Sequence, residues 1–309
     1  DISGHWAEGY IKYLQNTGIV AGKSATQFAP DAQVTTAEAM KMALALAGYD
    51  EKNAGLTGID WQKNTLTYAT TIGLTDDVNS AMSAGCSRQD AAQILANVLE
   101  ATAVRYSAIV ENFVNDSKTG LSYGGDPITV GYKWMDLSVY VGKLVSSGEL
   151  NVMNSDDELA VDAGTDRFAV EVDTVNGVEV NRWNWNDWRG AWDAETRTLT
   201  LKDGQDHTDL VGLEVKVLTG EKIDEVYGVY ATGTSNVVET TMDQIDVQSN
   251  DEMKIDGTTY DTKGAAVYAD LTLDDTGADE AAWSIDDVFS ADDKKAADDV
   301  KLIDWDNDG

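Results

Sequence analysis

His5-Trp6-Ala7, Ile11, Leu14, Gly18-Ile19-Val20, Gly22, Phe28, Pro30 and Val34-Thr35-Thr36-Ala37-Glu38 follow one another in that order near the start of the chain. Trp6, Tyr10, Ile11 and Leu14 recur at helical spacing, which predicts a helix with these four on one apolar face. Gly18 and Gly22 end that helix, and Phe28 and Pro30 lie in the connection that follows. Thr35-Thr36-Ala37-Glu38 reads as a capping box. The Thr35 hydroxyl accepts from the next turn while Glu38 reaches back, so a second helix opens there. Met40, Ala43, Leu44 and Ala47 form its apolar stripe.

The layout recurs. Trp61, Leu66, Ala69, Gly73-Leu74 and Ser87-Arg88-Gln89-Asp90 repeat the landmarks, with Ile94, Leu95, Val98 and Leu99 as the next apolar face. The Phe-x-Pro segment is missing from this second copy. The first copy spans Asp1 to about Tyr49, the second about Leu56 to Ala101, and no third is visible.

This ordered series resembles the S-layer homology module, strongly in the first copy and less so in the second. The resemblance implies a helical module that grips a secondary polysaccharide of a Gram-positive-type cell wall, on a secreted protein at the cell surface. It also implies that modules group in threes, and that the arginine of a T-R-A-E motif contacts an anionic sugar of the polymer. Guanidinium suits that task because it is always charged and pairs bidentately with carboxylate. Here the first copy has Thr36 at that position and the second has Arg88. Arg88 is therefore the leading polymer contact, with Thr36, Glu38 and Trp6 as further candidates. Trp6 could stack on a sugar ring, although its helical spacing favours a core side chain. The helix N-termini at Thr36 and Arg88 are expected to offer backbone donors to an anion.

Composition agrees with an exposed, acidic protein. Among 309 residues, 55 Asp and Glu stand against 22 Lys and Arg, a formal charge of −33. Such a surface repels nucleic acid, so phosphate-backbone binding is not expected. No apolar run reaches the length needed to cross a membrane, so membrane insertion is not expected either. Cys86, the one cysteine, reads as a small buried side chain rather than a reactive thiol. The chain opens inside one motif and stops inside another, so the expectation is a part of a longer secreted protein.

The fold expected is multidomain α + β: an all-α module over residues 1–105, a connecting loop and docking helix over 106–160, and β-rich sandwich or small-barrel domains over 161–240 and 241–309. Trp134, Leu137, Tyr140, Val141 and Leu144 space as one helix face and define the docking helix. Beyond it, Phe168–Val172 and Val178–Val180 flank Asn176-Gly177, a hairpin signal. Thr198–Leu201, Leu213–Leu218, Val226–Tyr230 and the turn at Asp256-Gly257 continue the strand pattern.

Two further sets of residues carry candidate chemistry. Trp183, Trp185, Trp188 and Trp192, interleaved with Asn184, Asn186 and Asp187, could cradle a carbohydrate, although their spacing suits a core or a domain interface better. Asp304, Asp306 and Asp308 before Gly309 resemble the first half of a calcium loop, and calcium is the one cofactor expected; a hairpin turn is the other reading. With only His5 and His207, nucleophilic or zinc chemistry is poorly supplied, so no enzyme is expected. The leading expectation is a self-associating structural protein of the S-layer kind. The rival is a wall-anchored binding protein for carbohydrate or a host surface.

Overall fold

The computed structural model describes residues 2–23, 27–116, 127–147, 150–151, 167–180, 191–193, 197–222, 225–235, 237–249, 252–261, 265–269 and 299–304. The chain divides into two compact units, Asp1–Leu137 and Ser138–Gly309.

In the first unit, α1 (Glu8–Asn16), α2 (Thr36–Ala47), α3 (Trp61–Thr71) and α4 (Arg88–Glu100) follow the expected pattern. A hairpin of β1 (Val104–Ser107) and β2 (Asn112–Asn115) comes next, then the short α5 (Val130–Met135). The capping box at Thr35 forms as read: Glu38 N–H donates to the Thr35 hydroxyl at 3.3 Å and Thr35 N–H donates to the Glu38 carboxylate at 2.9 Å. The far end of α2 closes at Gly48 in the left-handed region (φ 111°), with Tyr49 N–H reaching back to Leu44 C=O at 3.0 Å. Glycine is required there twice over, because a Cβ would also run into the Val104 carbonyl.

Met40, Ala43, Leu44 and Ala47 of α2 meet Ala69, Leu74, Ile94 and Val98 in one buried cluster. Tyr49 lies between Tyr68 and Phe113, with ring centroids 4.8 and 4.6 Å away, and so joins the β1–β2 hairpin to that core. The stripe read from the first helix does not hold. Ile11 is buried, but Trp6 and Tyr10 of the same stripe are exposed.

The second unit is antiparallel β-structure in every pairing among the described residues. Its largest sheet runs β10-β9-β3-β5-β8-β7, with β4 and β6 attached to β3 and β5. These strands are β3 (Ser138–Ser147), β4 (Leu150–Asn151), β5 (Arg167–Val175), β6 (Val178–Glu179), β7 (Ala191–Asp193), β8 (Thr198–Lys202), β9 (Glu214–Thr219) and β10 (Val226–Ala231). Tyr140, Leu144, Phe168, Val170, Leu199 and Val215 contribute to its core. The β5–β6 hairpin turns at Asn176 (φ 51°) and Gly177 (φ 76°), both left-handed as a two-residue primed turn demands.

Here the docking helix is corrected. Helix α5 stops at Met135 because Asp136 adopts a left-handed conformation (φ 50°), and Ser138–Ser147 is the central strand β3. Strand β3 pairs with β9 on one side and β5 on the other, and most of its side chains are buried on both faces. A strand buried on both faces has no alternation to display, so Leu137, Tyr140, Val141 and Leu144 fit a helical template by coincidence. What helix remains belongs to the first unit, where the Trp134 indole N–H donates to Leu46 C=O at 3.1 Å.

Among the described residues, two smaller sheets follow in the second unit. Strands β12 (Ile245–Ser249), β13 (Glu252–Ile255) and β14 (Thr258–Asp261) form a meander, turning at Asp256 (φ 47°) and Gly257 (φ 87°). Strand β11 (Val237–Thr241) crosses the boundary expected near residue 240 and pairs with β16 (Asp299–Asp304), which also pairs with β15 (Ala265–Ala269).

Candidate functional site

The two copies of the helical pattern are stitched together just ahead of their second helices. Cys86 N–H donates to Val34 C=O at 2.8 Å, Thr36 N–H to Ala84 C=O at 3.0 Å and Ala37 N–H to Met82 C=O at 2.9 Å. Thr35 and Gly85 form an antiparallel bridge. The seam brings Thr36 of the first copy beside the segment that leads into Arg88 of the second.

It also overturns one expectation. The first three backbone donors of α2 are already taken, by Ala84, Met82 and the Thr35 hydroxyl, so this N-terminus has none left for an anion. Thr36 itself is buried. Glu38 is committed to the capping box and to an ion pair with Lys23. Burial pushes its carboxyl up, but the Lys23 ammonium and the Thr35 donors outweigh that and hold it below the ordinary range.

The N-terminus of α4 is built differently. Ser87 caps it by accepting from Asp90 N–H at 3.0 Å. Asp90 is one methylene shorter than Glu38 and does not reach back to the Ser87 backbone N–H. Its buried carboxylate instead accepts from the Ser80 hydroxyl, from Asn79 N–H at 3.0 Å and from the Ser87 hydroxyl at 2.8 Å. Those three donors hold it below the ordinary carboxylate range. With Asp90 so occupied, exposed Arg88 has no ion-pair partner among the described residues, and the N–H groups of Arg88 and Gln89 have no acceptor there. Half-buried Cys86 lies next to this site. Burial and the nearby Asp90 carboxylate raise its thiol pKa, against a lowering contact with Thr36, so the thiolate is disfavoured.

Trp6 stands in the turn just ahead of α1, 82% exposed. Neighbouring His5 accepts from Ala7 N–H through Nδ1 at 3.2 Å, which leaves Nε2 to donate to Asp31 at 3.2 Å and fixes the tautomer. This pair ties the entry of α1 to the loop after Pro30. No hydrogen bond among the described residues links Trp6 to the Thr36–Ala84 seam.

Sequence reading missed Tyr13. It is 68% exposed and shares α1 with Tyr10 (71% exposed), and Trp6 in the turn just ahead of the helix extends the pair to an i, i+4, i+7 aromatic spacing. The same spacing in the second copy falls on Trp61, Thr65 and Tyr68 of α3. There Thr65 is wholly buried and Tyr68 packs on Tyr49, because α3 lies against α2. The aromatic row was legible in the spacing; its exposure was not.

Comparison with known families bears on this stretch. Residues 1–40 match the S-layer homology domain. The chain carries an S-layer homology domain. No curated protein and no solved structure matches the chain. The S-layer homology domain therefore comprises α1, the Phe28–Pro30 connection and the capped opening of α2, and it marks a cell-surface protein associated with the cell wall. The second copy, with Arg88, lies outside the matched residues but is joined to the domain by the seam.

The remaining candidates lie largely elsewhere. Trp183, Trp185 and Trp188 fall outside the described residues, and Trp192 is placed only by its backbone, opposite Leu199 in β7–β8. Asp304 ends β16, while Asp306 and Asp308 fall outside the described residues. Among the described residues no three Asp, Glu, His or Cys side chains gather as a metal site, and no helix is long and apolar enough to cross a membrane. His207 is buried with Nε2 2.7 Å from the Asp203 carboxylate, and its backbone N–H donates to the Ser147 hydroxyl at 2.9 Å. This clamps the Asp203–His207 loop onto the end of β3.

Proposed function

We propose that this chain is a secreted, non-catalytic structural protein of a Gram-positive-type envelope, held non-covalently on a secondary cell-wall polysaccharide by its helical unit. Its β-rich domains make lateral contacts between copies, as in an S-layer. The observation that carries the reading is the match of residues 1–40 to the S-layer homology domain. Arg88 supports it from the geometry. Among the described residues, an exposed guanidinium without an ion-pair partner stands on a helix start with two open N–H groups, a set of donors that suits a sugar carboxylate. Exposed Trp6 adds an indole face suited to stacking on a sugar ring. The proposal extends to calcium, taken up by the carboxylates near Asp304, Asp306 and Asp308.

The test is co-sedimentation with purified cell-wall sacculi, intact or chemically stripped of wall polymer. Binding to intact walls and its loss on stripped walls are expected; equal binding to both would overturn the reading. Arg88→Ala should weaken binding by about 1.5–3 kcal/mol, the range for hydrogen bonds to charged groups. Thr36→Ser, which keeps the backbone donors in the seam, should bind as the parent does.

A further inference from the structure

We propose that β10 is the seam through which two copies of this chain pair edge to edge, an inference that rests on the self-association in the proposed function and gives it a location. Among the described residues, strand β10 ends its sheet and pairs only with β9. Thr232 N–H donates to Glu214 C=O at 3.0 Å, and this fixes the alternation along the strand. Gly228 and Tyr230 turn their backbone groups toward β9, while Val229 and Ala231 turn theirs away, with no acceptor or donor among the described residues.

Natural sheets guard such an edge with charge or proline. Charged residues make up 25% of this chain, yet Val226–Val238 contains none of them and no proline. The bulge of β10 lies between Val226 and Gly228, which leaves Gly228–Ala231 regular. Tyr227 and Tyr230 are 58% and 54% exposed, and the Tyr230 ring lies over Gly228, where a Cβ would collide with it.

The occupant that fits is a second copy of β10. Two chains of charge −33 repel over most of their surface, so they can meet only along a stretch free of carboxylates, and this edge is one. Antiparallel pairing about a two-fold axis at Tyr230 sets the outward N–H and C=O of Val229 against those of Ala231 in the second copy. It also brings the two Tyr230 rings side by side as a cross-strand pair. A contact this short is weak and needs salt to screen the surrounding charge.

The test is sedimentation velocity of the full chain across concentration, at low and high salt, with Tyr230→Lys and Val229→Pro beside the parent. The proline removes an N–H that the β9 ladder does not use but also changes a side chain packed against the core, so circular dichroism must show the parent fold in both variants before they are read. The parent should form a dimer that strengthens with salt, and both variants should remain monomeric. A parent that is monomeric throughout overturns the seam, as does a dimer that persists in both variants, although the latter leaves self-association standing. Sacculus binding of the same samples reads wall anchoring separately, because these substitutions all fall within the second unit's own sequence.

Discussion

Asp90 shows how a single residue separates two otherwise similar helix starts. At α2 the longer Glu38 closes a reciprocal cap, and the seam consumes the donors that remain. At α4 the shorter Asp90 turns inward to Ser80, Asn79 and Ser87 and leaves the helix start open beside Arg88. The lowered Asp90 pKa makes a prediction with a definite sign. The folded state binds this proton less tightly than the unfolded chain, whose Asp titrates near about 3.9. Its stabilisation is therefore complete above that value and is lost as pH falls through the lower folded value. Asp90→Asn should lower the urea midpoint at neutral pH and flatten the fall in stability below about pH 4. Gly48→Ala should cost more than about 1 kcal/mol, since φ is positive and the Val104 carbonyl occupies the space a Cβ would need. Urea unfolding followed by circular dichroism reads both.

At the scale of elements, β3 decides most. Its burial on both faces makes it the support of the largest sheet, and Leu144→Ala should destabilise the protein by about 2–5 kcal/mol through the cavity left behind. Strand β3 also carries a flaw. Ser138 and Thr219 stand directly opposite each other in the β3–β9 register, both buried, and neither hydroxyl has a partner among the described residues. A desolvated hydroxyl without a hydrogen bond is a cost, so Thr219→Val should be neutral or stabilising, by up to about 1 kcal/mol. A drop in thermal midpoint for Thr219→Val would show that the hydroxyl is satisfied after all.

For the whole molecule, charge sets the conditions under which it works. A net charge of −33 opposes both compaction and contact between copies, so added salt should raise the melting temperature modestly. Millimolar calcium should raise it further if carboxylates such as Asp304, Asp306 and Asp308 bind the ion, because ligand bound only by the folded state stabilises it. Magnesium should do less, as it gives up water reluctantly and demands stricter geometry. Scanning calorimetry at matched ionic strength separates the two; equal midpoints in calcium and magnesium would assign the whole effect to screening.

Local chemistry was legible in the chain without a structure. Thr35 and Glu38 had to form a cap because the residue types and spacing leave few other partners for those backbone donors, and Asn176-Gly177 and Asp256-Gly257 had to turn because their left-handed conformations cost glycine nothing and Asn or Asp little. The same short-range logic identified the S-layer homology stretch. What depended on distant neighbours could not be read this way. Leu137–Leu144 fits helix and strand equally until β5 and β9 are known to flank it. Trp6 and Tyr10 look like core until α1 is seen to expose them, while the equivalent positions of α3 are covered by α2. The donors of α2 look open until Met82 and Ala84, far along the chain, close them. Periodicity records which side chains share a face, but only the tertiary structure supplies what that face meets.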